Sequence, residues 1–117
     1  MLNQSEPLDR VFHALADPTR RALLERLSLG STSVSELARP LPMSLPAVLQ
    51  HIQVLETAGL VRSAKIGRTR SCALQAEALR QADGWIQARR REWEARLDRL
   101  GDYLETLNGE NSDGQSE

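Results

Sequence analysis

A mainly α-helical domain carrying one small β-hairpin is predicted by three observations in this 117-residue sequence. Apolar residues recur at helical spacing over most of the chain. The period changes only once, in two short runs, residues 60–66 and 69–74, around Gly67-Arg68. Aromatic residues make up 3% of the chain, too few to fill an all-β sandwich or barrel. With 40% hydrophobic and 26% charged residues, a chain of this length buries one modest core.

The elements follow in order. The first residues are polar, and Leu8, Val11, Phe12 and Leu15 begin a helical stripe. Asp17-Pro18 opens a second helix, since Asp caps well and Pro suits the first helical position. Leu23, Leu24 and Leu27 give it a buried face, and Gly30 stops it. Ser33-Val34-Ser35-Glu36 reads as a capping box, a hydroxyl reciprocated by a carboxylate three residues on. Val34, Leu37 and Ala38 face inward from the short helix that follows, which Pro40 and Pro42 end. Ser44 caps a fourth helix whose Leu45, Val48, Ile52 and Leu55 form one stripe, with Gly59 terminating it. A two-residue type II′ turn at Gly67-Arg68 suits the hairpin. A last helix runs from about Glu77 to about Leu107. Residues 1–7 are expected to be a flexible N-terminus, 8–107 the folded domain, and 108–117 a disordered acidic tail without apolar residues.

Two short helices joined by a tight turn form a helix-turn-helix, and the hairpin after it supplies a two-stranded wing. Bulk charge is silent about nucleic acid: 15 Lys and Arg stand against 16 Asp and Glu, for a net charge of −1. Local clustering speaks instead. On the fourth helix Pro46, Gln50 and Gln53 oppose the apolar stripe, with Ala47 and Leu49 at its flanks. Gln can pair bidentately with adenine, and Leu or Ala can touch a thymine methyl; the same face would also serve as ordinary solvated surface. The hairpin tips the balance. Arg62, Lys65, Arg68 and Arg70 lie within nine residues, and no acidic residue falls between Leu60 and Gln75. Arg68 at the tip can enter a minor groove while the others hold phosphates, although Lys and Arg also protect exposed hairpin edges from aggregation.

In the last helix Ile86, Trp93, Leu97, Leu100, Leu104 and Leu107 follow steps of three and four, with Arg90 filling one slot. That heptad seam is too apolar for a solvated helix and predicts a partner helix, hence a homodimer with Leu8, Val11 and Phe12 contributing. Arg89-Arg90-Arg91 is flanked by Glu92, Glu94 and Asp98 and reads as a solvated face.

Nothing points to an enzyme: no nucleophile–base set, phosphate loop or paired apolar carboxylates are in evidence. The single cysteine excludes an internal disulfide, and with two histidines it leaves little for a metal. His13 is expected among core residues, His51 as a brace of the recognition helix, and Cys72 as a buried, inert thiol. No apolar run reaches the ~18 residues of a membrane span, and the opening MLNQSEPLDR lacks a secretory pattern. A cytoplasmic protein without cofactor is the expectation.

The strings FHALADPTRRALLERL, VSELA, MSLPAVLQHIQVLETAGLV and GRTR together resemble the ArsR/SmtB family of bacterial winged-helix repressors, over residues 8–107. GWIQARRREWEARLDRLGDYLETL is similar to a Trp-containing branch of it. The resemblance implies a homodimer joined through the first and last helices, binding double-stranded DNA at a palindromic operator and repressing transcription, often its own. Metal-sensing members carry a Cys-x-Cys pair where this chain has Ala38 and Pro40, and Asp and His on a last helix that here holds no histidine. The usual metal sites are therefore not expected. A Ser common in the family is replaced by Leu49, which bears on base preference. Two alternatives accompany this expectation: a regulator answering an organic effector bound near Trp85 and Trp93, and a winged helix used only for protein–protein contact.

Overall fold

The computed structural model describes residues 2–115, with side chains for residues 6–109. Five helices and three strands follow one another: α1 (Leu2–Leu15), α2 (Pro18–Leu27), β1 (Thr32–Ser33), α3 (Val34–Ala38), α4 (Leu45–Thr57), β2 (Val61–Ile66), β3 (Thr69–Leu74) and α5 (Glu77–Gln115).

Helix starts and stops form where the side-chain chemistry places them. The Asp17 carboxylate accepts the Arg20 main-chain N–H at 3.0 Å, with Pro18 at the first helical position of α2. Ser33 Oγ accepts from Glu36 N at 3.1 Å, but the reciprocal half of the expected capping box is diverted, because Glu36 pairs with Arg39 at 2.6 Å. α4 ends in a Schellman motif. Gly59 takes a left-handed φ of 77°, its N–H donates to Glu56 O, and Leu60 N–H donates to Leu55 O, both at 2.9 Å.

The hairpin closes with Ile66 opposite Thr69. Gly67 has φ 63° and no non-glycine residue has positive φ, which among the described residues leaves the type II′ turn predicted for Gly67-Arg68. The wing is a three-stranded sheet, not a two-stranded one: β1 adds to the free edge of β3 in the order β1-β3-β2, with Thr32 opposite Cys72 and Ser33 opposite Ser71. Two residues are too short a run to show a period of two, so the sequence hid this strand.

The first compact unit, residues 1–82, holds the core. Val11 and Ala14 of α1, Leu23 and Leu27 of α2, Leu37 of α3, and Val48, Ile52 and Leu55 of α4 meet Leu60, just before β2, and Val61 and Cys72 of the sheet, closed by Ala78 and Ala82. Residues 83–117 form the second unit, whose described part is the rest of α5. Two boundaries differ from expectation. α1 begins at Leu2, inside the segment set apart as residues 1–7, and Met1 lies outside the described residues. α5 runs to Gln115, past the tail's expected start at residue 108, and only Ser116 and Glu117 of that tail lie outside the described residues. Extending an existing helix carries none of the cost of nucleating one, so an apolar stripe marks where a helix packs and not where it ends. Among the described residues no helix is long and apolar enough to cross a membrane.

Candidate nucleic-acid interface

α4 is built to bury one face and show the other. Ser44 Oγ accepts from Ala47 N at 3.3 Å, which fixes the start of the helix. Val48, Ile52 and Leu55 then turn fully inward, and Pro46, Leu49, Gln50 and Gln53 stand exposed on the opposite side, as predicted from spacing; Leu45, expected in the inward stripe, is 47% exposed, because at the first position of α4 it faces the cleft beside the wing tip. Ala47 is half-buried and offers less surface than its neighbours.

The exposed face divides between two clefts. Leu45 and Leu49 line one of about 250 Å³ with Val34, Ser35, Arg68, Thr69 and Arg70, so the N-terminal part of α4 sits beside the wing tip. Gln50 and Gln53 line another of about 320 Å³ with Arg10 and His13 of α1 and with Val54 and Thr57. One continuous stretch of surface thus runs from the wing across α4 to α1. His13 is exposed on this surface and not in the core, because Val11 and Ala14 take the inward positions of that turn.

The four basic wing residues have different fates. Lys65 is opposite Arg70 in the ladder, on the sheet face shared by Ser63 and Cys72. Like charges placed opposite one another repel, and an anion between them relieves that repulsion. Arg70 is partly engaged: Nη1 donates to Ser63 Oγ at 2.9 Å, and Ser63 Oγ donates to Glu56 Oε1 at 2.7 Å. Arg62 points to the other face of the sheet. In the amide orientation that satisfies both groups, Gln75 Oε1 accepts from its Nε at 2.8 Å and its Nη2 at 2.9 Å, which ties Arg62 to the base of the wing. Among the described residues Lys65 and Arg68 have no hydrogen bond or ion pair. The tip charges are uncommitted, and the base charge is spent.

Behind α4 lies a cluster that sequence reasoning located only through His51. Arg20 donates from Nε to Ala14 O at 2.9 Å and from Nη2 to His13 O at 3.0 Å, capping the end of α1, and its Nη1 meets His51 Nδ1 at 3.2 Å. Asp17 Oδ2 lies 3.9 Å from the same ring nitrogen. The Arg20 main-chain N–H holds the Asp17 carboxyl below the usual range, opposed by burial and helped by the charge of Arg20. The proximity of Arg20 and His51 was invisible to spacing, since 31 residues separate them. Cys72 is fully buried, and burial pushes its thiol up, away from reactive thiolate.

In the second unit Trp93, Leu97, Leu100 and Leu104 are 50–62% exposed, and the Arg89 guanidinium lies 5.2 Å over the Trp85 ring. Val11, expected at the same interface as these seam residues, is 1% exposed inside its own core and has no surface to give a partner, whereas Leu8 and Phe12 are half-buried. Among the described residues no three of His, Cys, Asp and Glu come together as a metal site.

A helix-turn-helix with a basic wing beside its second helix defines the winged helix-turn-helix class of transcriptional regulators, and a helix-turn-helix domain model matches residues 15–64. The chain is 56% identical over 62 residues to the HTH-type transcriptional regulator Rv2034 of Mycobacterium tuberculosis, a match covering 53% of this chain and 58% of that protein. The crystal structure of the ArsR family transcriptional regulator RHA00566 superposes with a TM-score of 0.74 at 47% identity, covering 76% of this chain and 92% of the other. An ArsR-like transcriptional regulator from Rhodococcus sp. RHA1 superposes with a TM-score of 0.78 at 31% identity, covering 91% and 97%. The chain belongs to the ArsR family of winged helix-turn-helix transcriptional regulators, which are regulators and not enzymes.

Proposed function

We propose that this protein is a homodimeric, sequence-specific DNA-binding repressor that acts in the cytoplasm on a palindromic operator at its own or a neighbouring promoter. The observation that carries this reading is the uncommitted Arg68 beside the exposed face of α4, where it lines one cleft with Leu45 and Leu49. Pro46, Leu49, Gln50 and Gln53, with Ala47 at their margin, face base edges in the major groove, and Ser44 holds the helix that presents them. Lys65, Arg68 and Arg70 take phosphates or an adjacent minor groove. Arg62 serves the wing's architecture instead, because its guanidinium is already bound to Gln75.

The dimer rests on the seam of Trp93, Leu97, Leu100 and Leu104, apolar surface that a solvated helix does not keep exposed. Leu8 and Phe12 add to it. Two-fold symmetry then presents two copies of α4 to two half-sites, so the operator is palindromic. A dimer seated on promoter DNA blocks access to it, which makes repression the expected outcome.

The test is enrichment of duplexes from a random library by the full chain, followed by titration of the enriched and scrambled duplexes across a salt series. The reading expects a palindromic motif, and at physiological salt a preference of roughly 10³ or more over scrambled DNA. It also expects affinity to fall steeply with salt on both. Binding that neither selects a motif nor responds to salt overturns it in favour of a protein-interaction module.

A further inference from the structure

We infer that the Arg20–His51 contact is a joint that fixes the recognition helix for base reading, and that protonation of the His51 ring opens it. The inference rests on the DNA-binding reading above.

Arg20 is held at three points. Its main-chain N–H is taken by Asp17, and its Nε and Nη2 donate to the last carbonyls of α1. The remaining nitrogen, Nη1, meets His51 on α4. α1, α2 and α4 are thereby tied through one planar guanidinium, whose fork geometry leaves little freedom in how they sit. His51 adjoins Gln50, so a shift of the His51 backbone moves the side chain assigned to a base edge. The buried contacts of Val48, Ile52 and Leu55 hold α4 in the core, but apolar packing is non-directional. The directional contact to α4 from behind is the one to His51.

The joint works in one protonation state. Arginine only donates, so His51 must offer the lone pair of Nδ1 and carry its proton on Nε2. When Nδ1 gains a proton, the ring stops accepting and repels the guanidinium. Asp17 Oδ2, 3.9 Å away, then becomes the ring's partner. His51 exchanges a hydrogen bond that spans three helices for an ion pair to the cap of α2. The other charged groups around α4 are accounted for. Arg10 and His13 of α1 line the neighbouring cleft, Glu36 and Arg39 of α3 are paired with each other, Glu56 is bound by Ser63 of β2, Arg70 of β3 donates to that same Ser63, and Arg68 stands beside the N-terminal part of α4.

Full-length His51→Leu and His51→Asn test this, each titrated at pH 7.5 and pH 5.8 on the duplex that the wild type enriches and on its scrambled form. The amide oxygen of Asn replaces the Nδ1 acceptor and does not titrate, while Leu removes it. Loss of a hydrogen bond to a charged group predicts that His51→Leu lowers the enriched-to-scrambled ratio by about tenfold at pH 7.5, with affinity for scrambled DNA unchanged. His51→Asn stays within about threefold of wild type, a rescue that a purely structural role does not predict. The expected result at pH 5.8 is a fall in the wild-type ratio that His51→Asn does not share.

An undiminished ratio in His51→Leu, or a His51→Asn that fails like it, overturns the joint. Equal losses on both duplexes with a lowered Tm overturn it as well, by showing a stability effect only. A pH response shared by wild type and His51→Asn overturns the protonation step. A wild type that prefers no duplex overturns instead the DNA-binding reading on which the inference rests.

Discussion

The first 82 residues and the part of α5 that follows them treat apolar side chains in opposite ways. In the first unit α1 to α4 and the sheet share one core, closed by the start of α5, and Leu55 is 0% exposed in it. Beyond Asp83 the large apolar side chains of the helix, from Trp85 to Leu107, all remain substantially exposed. The difference separates residues that the protomer needs in order to fold from residues that only a second surface can use. The same contrast recurs within the first unit, where the base of the wing is tied by Arg62 and Gln75 and its tip is left open. Closed regions carry stability, and open ones are available for the association proposed above.

The largest expected effect lies in the closed region. Leu55→Ala deletes a fully buried side chain between α4 and the sheet and should cost about 2–5 kcal/mol of unfolding free energy, by analogy with other core truncations. Urea denaturation monitored by circular dichroism measures it. Leu97→Ala in the second unit removes a similar volume from a side chain that the protomer leaves exposed. A comparable loss there at dilute, monomeric concentration would erase the distinction between the two regions.

Much of the closed region was legible because its signals are local. A Ser or Asp before a helix, a Gly after it and an apolar residue every three or four positions report on their own neighbours in the chain. The II′ turn at Gly67-Arg68 and the inward face of α4 were equally plain. What escaped was non-local or had no period. β1 depends on β3, almost forty residues later, for its identity as a strand. Arg20 and His51 meet only after α2 and α4 have packed. Val11 and His13 were misassigned for one reason: the stripe of α1 identifies an apolar face but not which flank lies deeper. In the wing, composition counted four cations alike, and only the ladder register set Arg62 apart from Lys65 and Arg70.

The second prediction concerns the open seam. Leu97→Glu or Leu100→Glu places a carboxylate where the proposed partner helix should pack, and an unpaired buried charge is costly enough to shift the proposed dimer to monomer at micromolar concentration. Sedimentation velocity reads this directly, and the far-ultraviolet circular dichroism of the first unit should be unchanged. A wild type that sediments as a monomer would show that the exposed seam serves something other than a second copy.

The third sharpens the open face of α4. Gln50 is exposed and uncharged, so the role proposed for it is in base recognition and not in counterion release. Gln50→Ala should cost about 1–3 kcal/mol on the enriched duplex, relax preference at one symmetric position, and leave scrambled DNA unaffected. Titrating both duplexes checks it. Equal losses on the two would mean that Gln50 supports the fold of the cleft it shares with Arg10 and His13 and does not read sequence.

The smallest effects separate the two ends of the wing. Arg68 sits in the turn with no partner, and Arg62 is bound by Gln75 on the opposite face from Lys65 and Arg70. A cation that neutralises a phosphate releases a counterion, so the dependence of log affinity on log salt counts such contacts. In a dimer every substitution acts twice. Arg68→Ala should therefore lower the magnitude of that slope by about two on enriched and scrambled DNA alike. A minor-groove position for Arg68 would add a selective loss on duplexes with narrow A·T tracts. Arg62→Ala should leave the slope where it was, because a guanidinium committed to a neighbouring amide neutralises no phosphate, and its loss should appear as a modest drop in Tm. The experiment is one salt series with three proteins, wild type and the two variants, on the same pair of duplexes. If Arg62→Ala flattens the slope as much as Arg68→Ala does, the Gln75 contact yields to DNA, and the base of the wing belongs with the open surfaces after all.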